Sequence, residues 1–148
     1  MTSKVIPYLH VKNAAGAIEF YQKAFGAVET LRLAEPDGRI GHAEIQIDGA
    51  RIMLAEEFPE HGILGPRSLG GTSVGIHLTV PDVDALAERA VAAGANLARP
   101  IKDEFYGERG GKLEDPFGHV WHVMTPIEEV SAEEMQRRYD ALLAGGQS

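Results

Sequence analysis

Apolar and polar positions alternate with period two, then fall at helical spacing, then alternate again, and this order runs twice along the chain. Residues 5–11 alternate as a short strand, with Pro7, which has no N–H, suited to an edge. Asn13 stands where an N-cap belongs, and Ala14, Ala17, Ile18, Tyr21 and Phe25 follow at helical spacing until Gly26 stops the helix. Strands are predicted over 29–34 and 41–47 on either side of Pro36-Asp37-Gly38. Asp48-Gly49 then turns the chain tightly into a returning strand at 51–55.

Residues 56–72 carry glycines and prolines without periodicity and read as a linker or lid. The first order then restarts. A strand is predicted at 73–80, and Asp82 caps a helix with Val83, Leu86, Ala87 and Ala90 on its apolar face, ended by Gly94. Strands follow near 96–99, 112–114 and 120–124, the last two joined through Asp115-Pro116-Phe117-Gly118, a type I turn sequence. Laid over each other, the halves match Val11 with Val80, Gly26-Ala27 with Gly94-Ala95, Gly49 with Gly118, and Met53 with His122. The pattern therefore predicts an α+β protein of two βαβββ modules related by pseudo-twofold symmetry. Its divisions are a first module at 1–55, the linker at 56–72, a second module at 73–126 and a helical tail at 127–148. In the tail, Ser131-Ala132-Glu133-Glu134 reads as a capping box opening a helix to Leu143. Met135, Tyr139 and Leu142 form its apolar stripe, and residues 145–148 are expected to fray.

Composition narrows the chemistry. The 148 residues include no cysteine, which excludes disulfides, thiolate nucleophiles and Cys-based metal sites. Any metal would need His, Asp or Glu ligands. With 22 acidic and 14 basic residues the net charge is −8, which disfavours binding to a phosphate backbone. No apolar run is long enough to span a bilayer, and the first residues lack a signal-peptide pattern, so a cytoplasmic protein without nucleic-acid or membrane partners is expected.

Four stretches carry a family resemblance: Ala17-Ile18-Glu19-Phe20-Tyr21 leading to Phe25-Gly26-Ala27; His42-Ala43-Glu44 leading to Glu57-Phe58-Pro59; Phe105-Tyr106-Gly107-Glu108-Arg109 leading to Asp115-Pro116-Phe117-Gly118-His119-Val120-Trp121; and Val130-Ser131-Ala132-Glu133-Glu134. The chain resembles the vicinal-oxygen-chelate (glyoxalase/bleomycin resistance/dioxygenase) superfamily, its PhnB-like branch in particular. The resemblance implies curled mixed sheets around a cup that holds a small molecule. In the enzymes of the superfamily a divalent metal sits in the cup, held by inward side chains from the first and last strand of each module.

Strand parity turns Ile6, Tyr8, His10, Arg51, Met53 and Ala55 toward the cup, and Ser73, Gly75, His77, Thr79, Val120, His122 and Met124 likewise. The chelating positions implied by the resemblance fall on Ile6, Met53, Gly75 and His122, of which only His122 can hold a hard or borderline ion. No cofactor is therefore expected, the alternative being a divalent metal relocated to His77 and His122. Candidate ligand-binding residues are Tyr8, His10, Met53, His77 and His122, with His42 and Glu44 as neighbours and His77 expected to meet Tyr8 across the pseudo-twofold axis. Phe105, Tyr106 and Arg109 add a rim, where the aromatics can stack on a planar ligand and Arg109 can pair with a carboxylate or phosphate, or instead with Glu114 or Asp115. Phe20, Tyr21 and Trp121 are read as core.

Three functions stay open on these residues: metal-free binding of a small organic molecule, a glyoxalase-type lyase or isomerase using a relocated metal or acid/base histidines, and a non-catalytic interaction module. No catalytic residue is assigned. The open edges of each half-sheet and the linker at 56–72 lead us to expect a homodimer, in a swapped or unswapped form, with the tail stripe covering the neighbouring subunit.

Overall fold

A computed structural model describes residues 1–146. Gln147 and Ser148, expected to fray, lie outside the described residues. The first half runs β1 (Tyr8–Val11), α1 (Ala14–Phe25), β2 (Val28–Ala34), β3 (Ile40–Ile47) and β4 (Ala50–Glu56). The second runs β5 (Gly75–Thr79), α3 (Val83–Ala93), β6 (Asn96–Asp103), β7 (Glu108–Glu114) and β8 (Val120–Pro126). Between them lie a 3₁₀ turn at Pro59–His61 and a one-turn helix α2 (Pro66–Leu69); α4 (Ala132–Ala144) closes the chain. The strands form two four-stranded sheets of identical topology, β1-β4-β3-β2 and β5-β8-β7-β6. In each, the first strand pairs parallel with the fourth and the remaining pairs are antiparallel.

Local chemistry accounts for the boundaries. β1 starts at Tyr8 rather than at residue 5 because Pro7 cannot donate; its carbonyl still accepts from Met53 N–H at 3.0 Å. Asn13, at φ 73°, accepts from Gly16 N–H, while Glu56 accepts from the N–H groups of Asn13 and Ala14, so three donors at the start of α1 are satisfied. Asp48 and Gly49 both have positive φ (52° and 85°), as a two-residue hairpin matching strand twist demands. Asp82 and Ser131 cap α3 and α4 through Ala85 N–H and Glu134 N–H. The capping box at Ser131 is only half made, because Glu134 turns its carboxylate to Arg137 and Arg138.

The extent of two strands needs correction. β6 and β7 are longer than 96–99 and 112–114, because backbone pairing continues past Pro100 and through Gly110-Gly111, where side-chain pattern gives no strand signal. Residues 56–72 are partly structured: buried Glu57 accepts from Gly65 N–H (2.9 Å) and the Ser68 hydroxyl (2.9 Å). The tail helix packs on its own chain. Tyr139 stacks on Phe105 at 5.6 Å between ring centres, and Arg138 bridges Glu128, Glu134 and the Phe105 carbonyl.

The helix-side residues of both sheets share one core with α1 and α3. Trp121 is fully buried there against Phe25 (4.5 Å) and Tyr21 (5.4 Å). Asp115, 1% exposed, organises the turn before β8. One carboxylate oxygen accepts from Phe117 and His119 N–H, the other from the Tyr21 hydroxyl (2.6 Å) and Trp121 Nε1–H (3.0 Å). The second module's turn is thereby bonded to the first module's helix.

Candidate functional site

With one face of each sheet in the core, the other face is free to meet a ligand. Direct cross-strand pairing places residues side by side on a face. On the first sheet the register sets Tyr8 beside Met53, Met53 beside Glu44, and Glu44 beside Leu31. The same register positions on the second sheet hold His77, His122, Lys112 and Arg99. The β-bulges recur as well, between Glu29 and Leu31 and between Leu97 and Arg99. Equivalent frames thus carry different chemistry.

The first row is built around a carboxylate. The Tyr8 hydroxyl lies 2.8 Å from His42 Nδ1, and His42 Nε2 lies 3.0 Å from Glu44. A carboxylate only accepts, so the Nε2 proton points to Glu44 and Nδ1 accepts from the Tyr8 hydroxyl. Partial burial, with the Glu44 charge as a lesser cause, raises the Tyr8 pKa, so its phenol is a neutral donor at neutral pH. Arg51 approaches the other Glu44 oxygen at 3.7 Å. Such a chain can move a proton between a bound oxygen and Glu44 through His42. His10 sits beside Tyr8, ring centres 5.0 Å apart, with its buried Nδ1 unpartnered among the described residues.

The second row is cationic. Burial lowers the His122 pKa, and Lys112, Arg99 and His77 lower it further. His77 Nε2 is 3.8 Å from Glu108. The Tyr106 hydroxyl reaches Met124 Sδ at 3.8 Å beside Arg99, and burial raises its pKa. Gly110 leaves room for this arrangement, since a Cβ there would strike Met124 Sδ and the Val123 carbonyl.

Between the free edges of β1 and β5 runs a groove of about 650 Å³, lined by Tyr8, His10, His77 and His119 and walled by Leu64 and Leu69. Tyr8 and His77 share it, but Tyr8 is hydrogen-bonded to His42 of its own sheet rather than to His77. Met53 and His122 lie on the two open faces. Phe105 and Tyr106 occupy the turn between β6 and β7, Phe105 held under Tyr139 and only Tyr106 reaching the face. Arg109 lies on the opposite face of β7, bonded through two nitrogens to Asp84 and through a third to Asp103; Glu114 and Asp115 are not its partners. Sequence reasoning passed over Arg99 and Lys112, whose signal was their equivalence to Leu31 and Glu44 through bulges that parity counting cannot see.

The four chelating positions do not fit a divalent ion. Ile6 and Gly75 bring no donor and Met53 only a soft one. The His122 ring also fills the space a side chain at 75 would need: a Cβ on Gly75 would lie 2.6 Å from His122 Nε2. At the relocated position, His77 and His122 are neighbours in the register, yet no group of three or more His, Asp or Glu side chains among the described residues could hold an ion.

Comparison with known proteins agrees with this frame. An uncharacterized protein of Mycobacterium bovis, Mb0911c, is 47% identical over 133 residues, 88% of each chain. A Pseudomonas aeruginosa protein of known structure, PA1353, superposes with a TM-score of 0.70 at 23% identity, over 86% of this chain and 100% of that one. A PhnB protein of Bacillus cereus does so with a TM-score of 0.67 at 16% identity, over 83% and 99%. No helix among the described residues is long and apolar enough to cross a membrane. The sequence profile of the Glyoxalase/Bleomycin resistance protein/Dioxygenase superfamily matches residues 6–123, and with the duplicated βαβββ architecture this shows that the chain belongs to that superfamily.

Proposed function

We propose that this protein binds a small organic molecule in the groove and on the open sheet faces beside it, without a divalent metal at the superfamily's chelating position. The observation that carries the reading is the His122 ring lying across Gly75, which gives the chelating space to an imidazole with no second hard donor beside it. The groove volume of about 650 Å³ lies within the range of small-molecule sites, and its mixture of leucine walls with tyrosine and histidine suits an amphipathic ligand. Elemental analysis of protein purified without chelator is the test. Zinc, nickel, iron and manganese are each expected well below one equivalent per chain, with no stabilisation on adding them. One tightly held equivalent that is lost in His122→Ala would overturn the reading.

We also propose that the working unit is a homodimer. β1 and β5 are sheet edges whose outer N–H and C=O groups have no strand partner among the described residues, and Val5, Leu69 and Val74 are exposed. Among the described residues each sheet pairs only within itself, so exchange of modules between copies would leave each sheet's bonding intact. Light scattering at micromolar concentration should give twice the 16.0 kDa chain mass, with Val74→Asp shifting the mass toward the monomer. A wild-type monomer throughout that range would sink the claim.

A further inference from the structure

Arg99 is exceptional in this protein. Among the described residues, the eight other arginines each meet a carboxylate or a backbone carbonyl: Arg109, for example, binds two aspartates, and Arg89 donates to the Lys23 and Gln22 carbonyls. Arg99 meets neither. Its Nε is buried without a partner, and its polar neighbour is the Tyr106 hydroxyl. An unmade bond on a buried charged donor is costly, which is why native side chains rarely leave one. Lys112, next to it in the register, likewise has no ion pair among the described residues, in a chain where acids outnumber bases by 22 to 14. His122 and His77 continue the row, and among the described residues only Glu108 supplies a carboxylate within 4 Å of the four, at 3.8 Å from His77.

The equivalent row of the first sheet is internally satisfied, since Glu44 there has His42 and Arg51 as partners. The second row has the same frame and an unanswered positive charge. We propose that the open face of the second sheet is an anion site in which Arg99 and Lys112 grip the oxyanion of a small organic ligand, a carboxylate or a phosphate group. His122 and His77 continue that surface toward the groove. A planar guanidinium fork matches either oxyanion through two parallel N–H bonds, and a neighbouring ammonium adds charge without demanding geometry. The ligand's remaining body then lies along His122 and His77 into the groove, so this inference rests on the small-molecule reading and gives that ligand its charge.

Calorimetric titration of the full chain at constant ionic strength, with inorganic phosphate and separately with benzoate, tests the proposal. Saturable binding of at least one probe is expected, and the tighter probe identifies the oxyanion. Arg99→Gln and Lys112→Gln should each weaken it about tenfold or more, the effect of losing a charge-assisted bond. Arg99→Lys, which keeps the charge, should retain part of the affinity, and Arg32→Gln on the other sheet should change nothing. If neither probe saturates, or Arg99→Gln and Lys112→Gln bind as well as the wild type, the anion site is wrong. Nile red, a neutral apolar probe, separates that outcome from failure of the pocket itself: its continued binding in the groove would leave the small-molecule reading standing.

Discussion

Replacing Asp115 by alanine is expected to lower folding stability by about 3–5 kcal/mol, one of the largest effects available to a single polar substitution in this protein. The side chain accepts four hydrogen bonds, from two backbone N–H groups of its own turn, from the Tyr21 hydroxyl and from the Trp121 indole. Truncation leaves all four donors in a site that is 1% exposed, with no room to hydrate them without opening the turn. Burial, and after it the Asp115 charge, hold the Tyr21 pKa well above its ordinary value, so the phenol stays protonated and donating across the working pH range. Tyr21→Phe should therefore cost less, about 1–2 kcal/mol, because one donor goes and three remain. Denaturant midpoints at unchanged m-value would read both. A loss below about 1 kcal/mol for Asp115→Ala would show that the turn repacks without its carboxylate. The effect reaches the site because Asp115 ties α1 to the start of β8, the strand that carries His122.

The second large effect is expected at Gly111. Its φ is unremarkable and any residue could adopt it; what forbids a side chain is space. A Cβ there would strike the Arg99 carbonyl and lie 2.9 Å from the Pro100 carbonyl, both backbone atoms that cannot swing aside. Gly111→Ala must push β6 away from β7 just after the β-bulge that aims Arg99 onto the open face. A stability loss of about 2–3 kcal/mol is expected from such overpacking. A drop in phosphate or benzoate affinity beyond that of Lys112→Gln should accompany it, since the bulge sets the direction of the Arg99 side chain. Wild-type affinity in a destabilised Gly111→Ala protein would separate the strand contact from the anion site.

The two faces give the molecule a division of labour. One row binds a carboxylate within itself and can pass a proton along Tyr8, His42 and Glu44; in the other, Arg99 and Lys112 have no ion pair among the described residues. Between β1 and β5 the groove joins them. The repeat preserved the pairing of these positions and the bulge between Glu29 and Leu31, matched between Leu97 and Arg99, while the side chains at corresponding places diverged from Leu31 to Arg99 and from Glu44 to Lys112.

Local pattern was enough for the architecture. The period-two and helical runs, the glycine stops at Gly26 and Gly94, the hairpin at Asp48-Gly49 and the caps at Asn13, Asp82 and Ser131 all act within a few residues, so their physics is written in the order of the chain. The same holds for the duplication, and the family resemblance located the chelating positions, where Ile6 and Gly75 bring no donor. What the sequence could not determine depends on atoms brought together from far apart. Strand parity placed His122 and His77 on one face, but a bulge resets parity on β6, so Arg99 could be assigned to that face only from the pairing itself. Arg109 read as a partner for a ligand oxyanion or for Glu114 or Asp115, and α3 instead laid Asp84 against it. Asp115 read as a turn residue, although half of its bonding comes from a tyrosine 94 positions earlier and a tryptophan in the following strand. Each of these was decided by tertiary structure, because a buried or partly buried charge takes its role from the partners that reach it, and those partners are set by packing rather than by spacing along the chain.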